Sequence, residues 1–303
     1  MSNLLKDKII YPAWDIIKND QKIKKFYIIP WLLSIIFLTI LLVYQSIYTY
    51  VEIFWKKEEA LVIILKFFHS DYVFEVAIAA IIFLIVYFIL IPIFEWWLIK
   101  YIDNKNNGNN ITTSEAFWLW LYKFLPIFEY NNIFSEFHFI SVLNGYLFSI
   151  RFIWVEYIKY INYIFIVIFL FSMIINVLFA YSKYIILIEN KGIFQALWIS
   201  TKITILNLTT SVKLYFLIFI LNIRVIINFL IFLSFPILIV LTIWLITTKV
   251  YLTIAIVILS ILFIVFIVIL WYITSVLEVF KTSIWYYAYI EWKTKLEQVK
   301  EKD

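Results

Sequence analysis

The chain has 303 residues, of which 65% are hydrophobic and 15% are charged, with a net charge of +5 and no cysteine. This is more apolar surface than a soluble domain of such length can bury, so the composition predicts an all-α polytopic membrane protein with about six spans. The missing cysteines exclude disulfides and thiolate metal sites. The lysines lie in short clusters beside apolar runs, which is typical of cytoplasmic loops and argues against nucleic-acid binding.

The first quarter of the chain predicts a surface helix followed by a span. Residues 1–25 hold six Lys against three Asp and predict an amphipathic helix on the cytoplasmic membrane surface. The helical membrane domain is expected over 26–290, with span 1 at about 26–50. Residues 51–71 carry mixed charge and are expected outside the cell.

A second span and a polar loop come next in the chain. Span 2 is predicted at about 72–99, with a kink at Pro92 and with Glu95 about one turn beyond it. The only strongly polar segment of the chain succeeds it, so residues 100–132 are expected to form the main cytoplasmic loop.

One segment in the middle of the chain decides the number of crossings. Residues 133–158 are apolar but interrupted by polar side chains, so this segment crosses, re-enters or lies flat. Residues 161–188 predict a clear span, and the basic residues after it lie in the cytoplasm only if 133–158 crosses. We therefore favour six crossings with both termini inside.

The apolar stretch over 213–247 is too long for one perpendicular span, since a straight helix of this length measures about 52 Å against about 30 Å of hydrocarbon. We expect Val225–Ile246 to cross and residues 213–224 to surface or pack as a half-helix; the alternative is a hairpin at Pro236. The last span is predicted at about 250–276. It is expected to continue into a soluble helical segment that ends in a charged tail, 291–303.

Five polar residues form the candidate intramembrane cluster: Arg224, Asn228, Asn222, Asn176 and Glu95. Arg224 and Asn228 are four apart and share a helical face, whereas Asn222 points elsewhere. A guanidinium beside an amide suits an anion or a lipid phosphate. We favour the structural alternative, in which the pair satisfies broken backbone or Arg224 extends to the head groups. Glu95 and Asn176 are candidate partners of Arg224.

No segment predicts catalysis, a cofactor or a metal site. The two acid–histidine pairs, His69 with Asp71 and Glu136 with His138, have no further ligand or triad member nearby. Three glycines are too few for most phosphate-binding loops. We expect a non-enzymatic protein without cofactors whose partners are membrane lipids, with self-association and a small anion as further candidates.

Three segments resemble known membrane families. The segment KIKKFYIIPWLLSII is similar to the opening of the CysZ-like sulfate-uptake family. The segments IENKGIFQALWIS and EVFKTSIWYYAYIEW resemble the membrane-domain family associated with bacterial glycerophosphodiester phosphodiesterases, in which Gly192, Ala196 and Ser200 would punctuate an interfacial helix. These resemblances imply long and half-inserted helices in a bacterial cytoplasmic membrane.

The sequence supports two function hypotheses. The first is a membrane scaffold or envelope-homeostasis component that works through lateral packing or lipid contacts. The alternative, implied by the CysZ-like resemblance, is an anion channel or permease that uses Arg224. A transport path predicts that the polar cluster lines one hydrated cavity, whereas a scaffold predicts dispersed polar groups that are each satisfied locally.

Overall fold

The computed structural model describes residues 5–20, 57–108, 125–134, 139–152, 155–223 and 248–300, with a few isolated residues between 23 and 40 and at 137, 242 and 245. These residues form helices and, among them, no strand. Three of the described helices are long and apolar enough to cross a membrane, or four if a bent pair counts as one span. The all-α membrane class is therefore confirmed, with fewer spans in this part of the chain than the six expected.

The helices are numbered in chain order. They are α1 (Tyr11–Asn19), α2 (Lys57–Phe68), α3 (Val73–Asn106), α4 (described over 125–134), α5 (Phe139–Phe152), α6 (Ile158–Leu178), α7 (Ser182–Ile188), α8 (Ile193–Leu206), α9 (Leu208–Ile223) and α10 (Lys249–Lys300). The three long candidates for crossing are α3, the run formed by α6 and α7, and α10. Most of predicted span 1 and all of 225–241 fall outside the described residues.

The crossing helices bury little of their apolar surface inside the chain. The most apolar stretch of α10 has none of its residues buried, and those of α3 and of the α6–α7 run have 6% buried. Such continuous apolar surface is unfavourable in water but is what a helix surrounded by hydrocarbon requires. These surfaces therefore face lipid.

The buried core lies at one end of the crossing helices. The carboxyl-terminal ends of α3, α7 and α10 meet there, with α1 and α8 packed against them. At its centre Tyr286 of α10 donates a hydrogen bond to Asp103 at 3.1 Å, and Tyr289 donates one to Glu189 at 2.5 Å. Residues 279–292, which belong to the segment expected to be soluble, contribute buried side chains such as Tyr286 and Tyr289 to this core.

Helix α1 is amphipathic, but it packs against the protein. Ala13, Ile16 and Ile17 are buried, and the Trp14 ring packs edge-on against the Phe280 ring of α10, with 5.6 Å between the two ring centres. The expected position of this apolar face on the membrane surface was wrong, because the face is occupied by α10.

Within the described part of residues 133–158, no single helix is long enough to cross. Helix α5 has 14 residues, so it measures about 21 Å against about 30 Å of hydrocarbon. It lies antiparallel to α6, where the Tyr146 hydroxyl donates a hydrogen bond to the Asn162 side-chain oxygen at 2.8 Å. Gly145 faces the Phe165 ring, which an added Cβ would touch at 3.6 Å.

Helices α8 and α9 form a sharp bend. Their axes differ by 102°, and Asn207 lies between them. Leu214 and Ile218 of α9 are buried in the core. The described residues 213–223 thus pack against the protein, and most of the rest of the 213–247 stretch lies outside the described residues.

Candidate functional site

A cavity of about 370 Å³ lies between α3, α4, α6, α7, α9 and α10. This volume falls in the range of small-molecule sites. Six of its lining residues carry a charge or a side-chain amide: Glu95, Asn176, Lys183, Asn222, Glu278 and Lys281. The cavity therefore has a partly polar lining, although it lies at the end of apolar helices.

The helix lengths place this cavity near the edge of the bilayer hydrocarbon. Asn176 follows the first residue of α6, Ile158, by about 27 Å of helix, and Glu95 follows the first residue of α3, Val73, by about 33 Å. The hydrocarbon of a bilayer is about 30 Å thick. If α3 and α6 enter the hydrocarbon at their first residues, these lengths predict that the cavity lies near its opposite edge, on the side of the buried core.

The first ion pair in the lining joins α7 to α3. The Lys183 ammonium lies 2.5 Å from Oε1 of Glu95, and both side chains are partly buried, with 25% and 22% exposed. The same ammonium lies 5.8 Å from the centre of the Tyr130 ring, within range of a cation–π contact. Asn131 donates a hydrogen bond to Oε2 of Glu95 at 3.3 Å. Glu95 is thus held by side chains of the protein.

The Tyr130 hydroxyl stays protonated beside this pair. Burial raises the pKa of Tyr130, and the negative charge of Glu95 raises that pKa further. The hydroxyl donates a hydrogen bond to the Phe179 carbonyl at 3.2 Å. Tyr130 therefore contributes a neutral ring and a fixed donor to this wall.

The second ion pair lies on α10. Lys281 pairs with Glu278, which is three residues earlier on the same helix. The Lys281 ammonium also donates a hydrogen bond to the side-chain oxygen of Asn222 on α9 at 2.8 Å. Asn222, which the sequence set apart from the rest of the candidate cluster, is thus fastened to α10.

Asn176 hydrogen-bonds across helices. Its amide nitrogen donates to the Phe137 carbonyl at 2.6 Å and to the Ser172 carbonyl of its own helix at 2.9 Å. The Ser172 hydroxyl also donates to the Phe137 carbonyl. Phe137 lies between α4 and α5, so two side chains of α6 satisfy a carbonyl outside both helices.

Three of the five candidate cluster residues, Glu95, Asn176 and Asn222, line this one cavity. Arg224 and Asn228 lie outside the described residues. Lys183, Glu278 and Lys281 were not among the residues predicted from the sequence, because each lies among the charges that flank apolar runs. The sequence signal for two of them was the three-residue spacing of Glu278 and Lys281 inside an apolar, aromatic segment.

The lining differs from a metal centre. Within the described ranges, no three His, Asp or Glu side chains are grouped as metal ligands. Comparison of the chain with protein families, with curated proteins and with solved structures gives no match. The two family resemblances stay predictions, and the function of the chain has to be inferred from the chemistry of the cavity.

Proposed function

We propose that this chain is a non-enzymatic integral membrane protein that binds a small polar ligand in the cavity between α3, α6, α9 and α10. The observation that carries the proposal is the placement of two lysine–glutamate pairs on the walls of one cavity at the packed end of the apolar helices. Ionisable groups at the margin of the hydrocarbon are costly unless they face a partner or a cavity, so their position there favours a functional site.

The charged groups of this lining are reachable as well as paired. Lys183 and Glu95 each keep about a quarter of their side chain exposed while forming their ion pair. A pair that borders open space can exchange its internal contact for a contact to a ligand. A permease would use the same site. Arg224 would belong to that permease because it follows the lining residue Asn222 by two residues.

The proposal is tested by filling the cavity without changing its charge. Ala180 lines the cavity, so Ala180→Phe should abolish ligand binding, whereas Ala79→Phe on the exposed face of α3 should leave binding unchanged. A bound ligand stabilises the folded state, by about 2.7 kcal/mol at a hundred times its Kd. We expect at least one member of a panel of small anions, cations and zwitterions to raise the Tm of the wild-type and Ala79→Phe proteins.

The measurement is thermal unfolding of the purified protein in a nonionic detergent. The ligand that raises the Tm of the wild type should leave that of Ala180→Phe unchanged. An equal rise in the Tm of both Ala→Phe variants would contradict binding in this cavity, and a panel without any effect would contradict the proposed function.

A membrane scaffold is the second candidate, and the apolar surface of the crossing helices favours it. None of the most apolar stretch of α10 is buried inside the chain, which leaves that surface for lateral contacts. Counting photobleaching steps in single bilayer-embedded particles tests self-association. We expect the monomer fraction to fall as the protein density rises; a constant monomer fraction would contradict this scaffold.

A further inference from the structure

We infer that the ligand of this cavity is a zwitterion without net charge, whose anionic group contacts Lys183 or Lys281 and whose cationic group contacts Glu95 or Glu278. This inference rests on the proposed ligand-binding function and names its ligand class. It differs from the small anion expected from the sequence.

The charge balance of the lining is the first argument. Among the described lining residues, the two ammonium groups of Lys183 and Lys281 face the two carboxylates of Glu95 and Glu278. An anion or a cation would add an uncompensated charge to a partly buried site, which is costly. A zwitterion keeps the sum at zero, because its anionic group contacts one lysine while its cationic group contacts one glutamate.

The neutral partners of the charged groups are the second argument. If Lys281 turns from Glu278 to a ligand, it keeps the Asn222 oxygen at 2.8 Å. If Glu95 turns from Lys183, it keeps the Asn131 amide at 3.3 Å. Lys281 and Glu95 thus each have a neutral hydrogen-bond partner that remains when the ion pair opens.

The depth of the cavity allows two sources of this chemistry. A zwitterionic phospholipid head group lies at the predicted depth of the cavity, and a soluble zwitterion reaches it from the aqueous side. Both carry one anionic and one cationic group a few bonds apart. The experiment therefore has one arm for each source.

The soluble arm compares three matched probes by titration calorimetry of the full chain in a nonionic detergent. Taurine carries a sulfonate and an ammonium, isethionate replaces the ammonium by a hydroxyl, and ethanolamine replaces the sulfonate by a hydroxyl. Each lost charged contact should weaken binding, so we expect taurine to bind about tenfold to a hundredfold more tightly than either partner probe.

The lipid arm uses nanodiscs that contain equal amounts of phosphatidylethanolamine and phosphatidylglycerol, which share an anionic phosphodiester but of which only the first carries an ammonium group. Native mass spectrometry measures which lipid stays bound when the protein is released. If phosphatidylethanolamine is retained and added taurine displaces it, the zwitterion is the lipid head group. Taurine binding with equal retention of both lipids assigns the soluble source.

Two substitutions test the charge balance. Glu278→Gln gives the described lining a net charge of +1, so the affinity for isethionate relative to taurine should rise by about tenfold or more. Lys281→Met gives it a net charge of −1, so the affinity for ethanolamine relative to taurine should rise instead. Lys281→Arg keeps the charge and should keep the preference for taurine. Lys213→Met and Glu58→Gln, at exposed positions outside the cavity, are the matched controls.

The outcomes separate the inference from the proposed function. Isethionate or ethanolamine binding as tightly as taurine would overturn the zwitterion and leave ligand binding in place. An unchanged preference in a correctly folded Glu278→Gln protein, as judged by circular dichroism, would overturn the assigned contacts. Absence of binding by all three probes, together with equal retention of both lipids, would overturn both statements.

Discussion

The side-chain amide of Asn176 connects two parts of the chain that belong to different helices. It hydrogen-bonds the Phe137 carbonyl between α4 and α5, and it also lines the cavity. In a membrane environment an unsatisfied backbone carbonyl costs free energy that water would otherwise offset. A polar residue within an apolar helix is thus explained by its backbone partner 39 residues away.

We predict that Asn176→Leu lowers the free energy of unfolding by about 1 kcal/mol, because the Ser172 hydroxyl still satisfies the Phe137 carbonyl. The double variant Ser172→Ala/Asn176→Leu should lose more than the sum of the two single variants, since no donor of the pair remains. Reversible unfolding in detergent measures all three. Ser149→Ala, whose hydroxyl bonds a carbonyl of its own helix, is the control; additive losses would contradict the shared role.

Glu189 is a second residue whose environment has a measurable consequence. Burial by itself raises the pKa of its carboxyl group, but hydrogen bonds from Tyr289 and Lys293 and the charges of Lys293 and Lys191 outweigh burial, and the net pKa is lowered. A carboxyl group with a lower pKa in the folded state than in the unfolded state stabilises the fold at pH values above the unfolded pKa. That stability is lost as the pH falls through the folded pKa.

We therefore expect the free energy of unfolding to fall as the pH is lowered from about 5 into the acid range below the ordinary carboxyl pKa. Glu189→Gln should be less stable than the wild type at pH 7 and should show a smaller loss over this acid range. Denaturant unfolding in detergent at a series of pH values measures both. Glu58→Gln is the exposed control, and identical pH profiles for the wild type and Glu189→Gln would count against this role.

At the scale of the element, α10 combines two environments in one helix. Its 52 residues extend over about 78 Å, more than twice the thickness of the hydrocarbon. The first half faces lipid, whereas Val279, Ile284 and Tyr286 in the second half are completely buried in the core. One helix thus spans the membrane and organises the packed end.

The burial of its carboxyl-terminal half predicts a contrast between two tryptophans. Trp292 has 1% of its surface exposed and Trp198 has 62%. Trp292→Ala should cost about 3–5 kcal/mol because it leaves a cavity, and Trp198→Ala should cost less than about 1 kcal/mol. Both values come from equilibrium unfolding in detergent. Similar costs for the two variants would show that residues 291–303 are the free charged tail that the sequence suggested.

At the scale of the whole molecule, both ends of the described chain lie on the same side. The Lys8 ammonium of the amino-terminal segment pairs with Glu291 of α10 at 2.9 Å, and α1 packs along α10. The start of α3 lies at the far end of a helix whose last turns are in the core. The positive-inside rule predicts that the packed side is cytoplasmic.

The missing cysteines make this arrangement directly testable. Single cysteines introduced as Tyr11→Cys and Thr294→Cys should react with a membrane-impermeant maleimide only after the cells are permeabilised. His69→Cys, before the start of α3, should react in intact cells. Labelling of Tyr11→Cys and Thr294→Cys from opposite sides would contradict the packing of α1 on α10.

The sequence predicted some residues of the site but not others. Glu95, Asn176 and Asn222 stood out because a polar residue in an apolar run is visible locally. Lys183 did not stand out, because its partner Glu95 is 88 residues earlier. A spacing of that size carries no periodic signal, so only the packing of α7 on α3 brings the two charges together.

The sequence by itself determined the membrane class and the helical secondary structure, and long apolar helices overlap the segments 72–99, 161–188 and 250–276. Hydropathy and helix length are local properties, and the bilayer thickness converts them directly into spans. The tertiary structure alone decided that residues 279–292 form a core, that α1 packs on the protein, and that three candidate residues share one cavity. These facts depend on which helix ends meet, and apolar helices of similar hydropathy do not encode their neighbours in composition.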